Sequence, residues 1–285
     1  MGGLIGAALV PRCLAASPPD APRVVSLDYG IATTLLALGV VPAGVVATVE
    51  WDKWVVEPAL PPGVVDIGRD LEANLELIAA LDPELVLATP YVAHLTPSLE
   101  RIAPVLTITI FAEDGKPLER AIAGTRLIGD AVNRAAAAEA YLREADRILD
   151  RCRRRIEALN PPPIAFVNFM DARHARVFGR SSLYQDVLNR IGIENAWTGP
   201  TNYWGFQTVA IEDLARGTPS DMRLIAFEPI LPDVEPTLEK SPLWRRLPFV
   251  EQGRVSILPG VLMFGMVPSA LRFASLVVDH LESLA

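Results

Sequence analysis

Tyr91 and His94 stand three residues apart in the segment "PYVAH", a phenol oxygen and an imidazole nitrogen at a spacing that could ligate haem iron. The other two histidines, His174 and His280, are remote in sequence, so a metal site or a metal-dependent hydrolase built on His94 or His174 would need the fold to converge them with carboxylates. No other catalytic pattern is visible. The chain has no G-x-x-x-x-G-K-[ST] phosphate loop, no G-x-G-x-x-G opening a helix, no G-x-S-x-G elbow and no H-E-x-x-H. What it does have is aromatic chemistry in unusual places. The stretch "NAWTGPTNYWGFQ", residues 195–207, sets Trp197, Tyr203 and Trp204 among turn-forming Asn, Thr, Gly and Pro. Rings on such a loop expose apolar surface unless a ligand or partner covers them.

Those side chains must be positioned by the elements around them. Short apolar runs "RVVSL", "AGVVATV", "VVDIG", "ELVLAT" and "LTITI" alternate with helical patterns between Arg23 and Ile110, the signature of parallel βαβ units. A second series begins at "IAFVNFM" and continues through "ARVFG", "RLIAFEP" and "RVSILPG". The fold class expected is α/β: two Rossmann-like lobes with parallel sheets, over 21–130 and 161–285, joined by a connecting helix within 131–160. In that helix Tyr141, Leu142, Ala145, Ile148, Leu149, Cys152, Ile156 and Leu159 keep helical spacing. "NPPP" at 160–163 stops it. About 26 residues at about 1.5 Å each make a rod of roughly 40 Å, a strut between lobes more than a hinge. A weak internal repeat pairs "NLELIAALDPELVLATP" with "AIEDLARGTPSDMRLIAFEP", each running Glu, amphipathic helix, Pro, strand, Pro, although any helix-to-strand connection shares that order.

In open parallel sheets ligands sit outside the carboxyl ends of the strands. Tyr29 follows "VVSL", Trp51 and Trp54 follow "AGVVATV", Arg69 follows "VVDIG", Tyr91 follows "ELVLAT", and Met263 and Phe264 follow "RVSILPG". Of the five tryptophans, Trp51, Trp54, Trp197 and Trp204 fall in loops and Trp244 does not. The loop aromatics are therefore expected to line a cleft between the lobes, where a bound solute covers them and tyrosine hydroxyls and an arginine donate hydrogen bonds.

Composition narrows the partners. A formal net charge of −8 argues against nucleic acid, whose phosphates require clustered cations. The one basic cluster, Arg147 to Arg155, reads as the solvated, C-terminal part of the connecting helix. Residues 1–20 carry a short apolar run and "LAAS", read as an export signal without its basic start. Cys13 in "VPRC" lacks the small-residue approach of a lipoprotein box, and Cys152 reads as a small core residue. No later apolar run reaches the roughly 18 residues needed to span a bilayer, so the processed chain is expected to be soluble.

From Arg23 to about Phe273 the sequence resembles the periplasmic ferrichrome-binding proteins of hydroxamate siderophore uptake, in the helix-backbone class (class III) of solute-binding proteins for ABC importers. The resemblance is carried by "LLALGVVPAGV", "WVVEPALPPGVVDIG", "NLELIAALDPELV", "RIAPV", "VFGRSSLYQDVLNRIGIENAW", "TNYWG" and "SPLWRRLPFVEQGRV". It implies a shallow aromatic cleft for a ferric siderophore whose iron stays wrapped in hydroxamate oxygens. On that reading the protein supplies no metal ligand, holds no cofactor and performs no catalysis. Carried over residue by residue, Tyr91 matches the hydroxamate-binding tyrosine across a one-residue gap, and Trp54, Trp197 and Trp204 match cleft aromatics. Tyr29 stands where the relative has tryptophan. Arg69 sits one residue before the ungapped place of the family's arginine, which falls on Asp70. Leu262 and Phe264 replace a Trp and a Tyr, giving a greasier wall. Glu76 and Glu212 match the glutamates that each lobe offers to arginines of the membrane subunits. The implied protein is a periplasmic monomer with the ferric siderophore and an ABC importer as partners. Haem, cobalamin and catecholate siderophores are the alternatives on the same fold, Tyr91 with His94 favouring haem.

Overall fold

The computed structural model describes residues 20–69, 71–216 and 218–285. The export-signal reading, with Cys13, lies outside the described residues apart from Asp20. In the first lobe the apolar runs form β1 (Val24–Ser26), β2 (Gly44–Val45) and β3 (Val65–Asp66), a short hairpin of β4 (Gly68–Arg69) and β5 (Glu72–Ala73), then β6 (Leu85–Ala88) and β7 (Val105–Thr107). Between and after them lie α1 (Tyr29–Ala37), α2 (Trp51–Trp54), α3 (Leu75–Ala80), α4 (Thr96–Leu99) and α5 (Pro117–Ala131). The main sheet is parallel throughout, in the order β3-β2-β1-β6-β7. β1 is buried at all three residues, as expected of a central parallel strand covered on both faces.

The connecting helix α6 spans Ala135–Leu159. Asn160 ends it in the left-handed region, φ 43°, a conformation asparagine tolerates better than most residues, and the prolines follow. Its apolar stripe serves two cores in succession. Ala138, Leu142 and Ala145 pack with Ile31, Ile108 and Ile128 of the first lobe. Leu149, Cys152 and Ile156 pack with Phe166, Val187 and Phe273 of the second. On the outer face four arginines of the cluster are paired: Arg147 and Arg151 meet Glu144, Arg153 meets Glu157, and Arg155 meets Asp279 and Glu282. Exposed pairs of this kind contribute little to stability.

The second lobe contains β8 (Ile164–Phe169), β9 (His174–Phe178), α7 (Leu183–Ile191), β10 (Phe206–Ala210), α8 (Ile211–Arg216), β11 (Arg223–Phe227), α9 (Val234–Lys240), α10 (Pro242–Arg245), α11 (Pro248–Glu251) and β12 (Val255–Leu258). Its sheet runs β10-β9-β8-β11-β12 and is mixed. β8, β11 and β12 are parallel, whereas β9 is antiparallel to β8 and β10 to β9. The all-parallel expectation fails there for a simple reason. Residues 170–173 are too few for a crossover, which needs a dozen or more. Instead Met170 N–H bonds the His174 carbonyl at 2.9 Å and closes a hairpin. β10 lies in a stretch read from sequence as loop and helix.

The last helix, α12 (Val267–Ser283), also departs from the expected boundaries. Rather than belonging to the second lobe alone, it lies alongside α6 and bridges both. Met266 and Val267 enter the first lobe's core, while Phe273, Ala274, Val277 and Val278 enter the second's. Arg272 adds a polar tie: its Nε donates to the Gly260 carbonyl at 2.9 Å and its Nη1 to Glu57 of the first lobe at 2.5 Å. Two parallel struts resist bending more than one. No helix among the described residues is long and apolar enough to cross a membrane.

Candidate functional site

The aromatic loop owes its shape to the small residues that first made it conspicuous. The Asn202 carboxamide oxygen accepts from the backbone N–H groups of Trp204 and Phe206 at 3.0 and 3.3 Å, and the Asn202 carbonyl accepts from Gly205 at 2.9 Å. This local turn fixes the two rings on either side of Gly205. Gly205 has φ +82°, and a Cβ there would lie 2.1 Å from the Ser182 nitrogen, so no other residue fits without moving the loop. On the opposite lobe, Tyr91 stands in a 3₁₀ turn over Pro90–Leu95 that immediately follows β6 and is half exposed. Arg69 ends β4, whose hairpin is held by Asp66 accepting from the Gly68 N–H at 2.9 Å. Burial raises the Asp66 pKa, but bonds from the Thr48 hydroxyl and the Gly68, Val49 and Thr48 amides outweigh it and hold the group below the usual value.

These elements open onto a cleft of about 800 Å³ between the lobes. Rings from both sides make its floor: Trp204 lies 5.9 Å from Tyr91 and 5.4 Å from Phe111 on the first lobe, and 4.6 Å from Tyr203 and 5.4 Å from Phe264 on the other side. Tyr29 and Trp54 add faces whose polar atoms are already engaged. The Tyr29 hydroxyl donates to the Ala47 carbonyl at 2.6 Å, and the Trp54 indole N–H donates to Glu50 at 2.7 Å. Burial, with a smaller contribution from Tyr91, pushes the Tyr203 phenol pKa up, so at neutral pH it is a hydrogen-bond donor. The cleft can thus cover an apolar body with rings while phenol and guanidinium groups donate to its oxygens.

Of the residues singled out from sequence, Tyr29, Trp54, Arg69, Tyr91, Trp204, Leu262 and Phe264 all line this one cleft. Arg69 reaches it from the hairpin, a small element hidden in the run "VVDIG"; Asp70 lies outside the described residues. Trp197 does not line it. Its side chain is buried in the second lobe with Val167, Val177 and Leu214, stacked under Gly199 and against Gly179. The reading of Trp197 as a ligand contact is corrected on that ground: a loop position in sequence folded back as core. Trp51 is likewise buried, donating to the Pro58 carbonyl at 2.8 Å. His94 is separated from Tyr91's role, lying outside the cleft lining and meeting the Leu71 carbonyl at 3.2 Å. Among the described residues no three His, Cys, Asp or Glu side chains group as metal ligands. Glu76 and Glu212 sit in the first turns of α3 and α8, one exposed and one half-buried, outside the cleft.

Sequence reasoning missed Phe111, Phe206 and Arg176. The rule it used looks only at loops beyond strand ends, whereas Arg176 and Phe206 lie on the antiparallel strands β9 and β10. A signal was present: Arg176 shares a strand face with Phe178, an odd place for a charge in an apolar alternation.

Residues 24–262 match the periplasmic binding protein family. The iron(3+)-hydroxamate-binding protein FhuD of Escherichia coli is 34% identical over 254 residues, covering 89% of this chain and 85% of that protein. The Fe³⁺–Desferal-bound siderophore-binding protein FhuD from Vibrio cholerae superposes with a TM-score of 0.87 at 28% identity, covering 93% of this chain and 99% of the other. The triscatecholate siderophore-binding protein FeuA from Bacillus subtilis, complexed with ferri-bacillibactin, shares the fold at a TM-score of 0.74 but only 13% identity, over 95% and 96% of the two chains. With its two α/β lobes on a helical backbone and its cleft between them, the chain belongs to the periplasmic binding protein family, in the FhuD-like class III group of solute-binding proteins.

Proposed function

We propose that the protein captures a ferric hydroxamate siderophore in the interlobe cleft and delivers it to the membrane subunits of an ABC importer. The observation that carries this reading is the meeting of rings from both lobes around Trp204, with Tyr91, Tyr203 and Arg69 at the same cleft. A ferric hydroxamate presents an apolar organic shell and a patch of metal-bound oxygens, which rings cover and phenol and guanidinium donors address. The E. coli relative is named for iron(3+)-hydroxamate binding and the V. cholerae structure holds Fe³⁺–Desferal, both in keeping with this ligand class. Iron is cargo here: the siderophore supplies its ligands, and the protein performs no bond-making step and needs no cofactor. Haem is disfavoured by the position of His94 outside the cleft lining.

The protein acts as an exported monomer in the periplasm. Docking uses Glu76 and Glu212, one on each lobe, whose carboxylates meet basic residues of the importer and fix orientation more than they add affinity. The supporting struts α6 and α12 keep the lobes in register, so ATP hydrolysis on the importer, rather than spontaneous hinge motion, opens the cleft. Titration of tryptophan emission with ferrichrome, ferrioxamine B, haem and cobalamin tests the ligand class: the hydroxamates quench and the other two do not. A haem complex with a shifted Soret band that disappears in Tyr91→Phe, without hydroxamate binding, would overturn it. The double variant Glu76→Ala with Glu212→Ala retains ligand affinity and loses uptake; weakened ligand binding would remove the docking role.

A further inference from the structure

The walls of the cleft carry unlike charge. The first lobe contributes three carboxylates, Asp28, Glu50 and Asp66, against one arginine, Arg69. The second lobe contributes Arg176 among Tyr203, Trp204, Phe206, Leu262 and Phe264, with no acidic residue in the described lining. Arg176 is half-buried on β9, directly across from Asn168 of β8. Its guanidinium lies over the Phe206 ring at 4.3 Å, which supports one face and leaves the N–H rim to find acceptors. A guanidinium has five N–H donors. Among the described residues the acceptor it meets is the Met263 sulfur at 3.4 Å, a weak one, and its buried Nε has no protein partner. The neighbouring Asn168 carboxamide oxygen, on the same sheet face, is also buried without a protein partner. Partial burial pushes the Arg176 pKa down, and no neighbouring carboxylate opposes the shift.

Such a charge is costly in an empty cleft and favourable once an anion reaches it. We propose that Arg176 makes the cleft selective for ferric hydroxamates that carry a carboxylate, receiving that group on the second lobe's wall. This rests on the hydroxamate reading and adds the charge of the cargo to it. A pendant ammonium is disfavoured at this wall, and a neutral chelate forgoes the contact.

One chelating core with three pendant charges provides the test: ferrioxamine B with its free ammonium, its N-acetyl derivative and its N-succinyl derivative, each titrated calorimetrically against wild type, Arg176→Met and Arg176→Lys. Wild type binds the succinyl chelate about tenfold or more tightly than the acetyl one. Arg176→Met compresses the succinyl-to-acetyl ratio to within about threefold, and Arg176→Lys restores part of it. Equal affinities for all three chelates in the wild type would overturn the proposal without any variant having to fold. So would an Arg176→Met variant weakened equally toward all three, which would place the guanidinium on the iron-bound oxygens. If none of the three chelates binds, it is the hydroxamate reading itself that fails.

Discussion

Replacing Trp204 with alanine removes the ring on which the two lobes meet. Trp204 is half-buried, in contact with Tyr91, Phe111, Tyr203 and Phe264, and turns its remaining surface to the cleft. If a chelate covers roughly 80–100 Å² of apolar surface there, transfer at about 25 cal/mol per Å² gives about 2 kcal/mol. A loss of about 2 kcal/mol weakens affinity roughly thirtyfold at about 1.4 kcal/mol per decade. The neighbouring rings also lose a partner, so the unliganded variant melts lower. Calorimetric titration with ferrioxamine B well below the melting temperature, beside scanning calorimetry of the apo protein, separates the two effects. Trp204→Phe, which keeps a ring, recovers affinity to within about tenfold of wild type. A folded Trp204→Ala that loses less than threefold in affinity would refute the claim that this ring covers the ligand.

Tyr91→Phe removes a hydroxyl while keeping the ring, and is expected to weaken ferrioxamine B by about five- to thirtyfold, the equivalent of about 1–2 kcal/mol; unchanged affinity would take Tyr91 out of the oxygen-binding set. Arg272→Met unties α12 from Gly260 and Glu57 and lowers Tm by about 2–6 °C, whereas Glu57→Gln, acting on a side chain 74% exposed, moves it by about 1 °C or less; equal shifts would mean that the ion pair to Glu57, not the Gly260 bond and packing, carries the contribution of Arg272. Asp186 on α7 has its carboxyl pKa raised above 3.8 by burial, offset in part by its bond from the Leu118 N–H at 3.0 Å and reinforced by Glu119. A raised acid contributes stability that is full below its unfolded pKa and is lost as pH rises through the folded one. Asp186→Asn is therefore expected to melt relatively higher than wild type at pH 7 than at pH 4, and a pH-independent difference would contradict the assignment.

The two lobes and the connecting helix were legible because their signals are local. Period-two and buried apolar runs mark β1, β6, β8 and β11, and the stripe from Leu142 to Ile156 marks α6. Strand direction was not legible, because β9 has the same alternation whichever way it runs; only the short span between Phe169 and His174 distinguishes hairpin from crossover. That single misreading hid Arg176. The bridging role of α12 was invisible for a related reason: an amphipathic stripe says that a face is covered but not by which lobe. Trp197 and Trp204 show the same limit within one loop. Both stand beside glycines, yet Trp197 turns inward over Gly199 and Trp204 turns out to the cleft, a choice set by the Asn202 turn and by packing against β9 that no spacing rule encodes.

The central claim is that the cleft holds an intact ferric hydroxamate and gives the iron no ligand of its own. The visible absorption of the bound complex tests it most directly, since hydroxamate-to-iron and phenolate-to-iron charge transfer differ in position. When ferrioxamine B binds, its charge-transfer band should persist with little shift while tryptophan emission falls. Appearance of a new phenolate-to-iron band that vanishes in Tyr91→Phe would contradict the account.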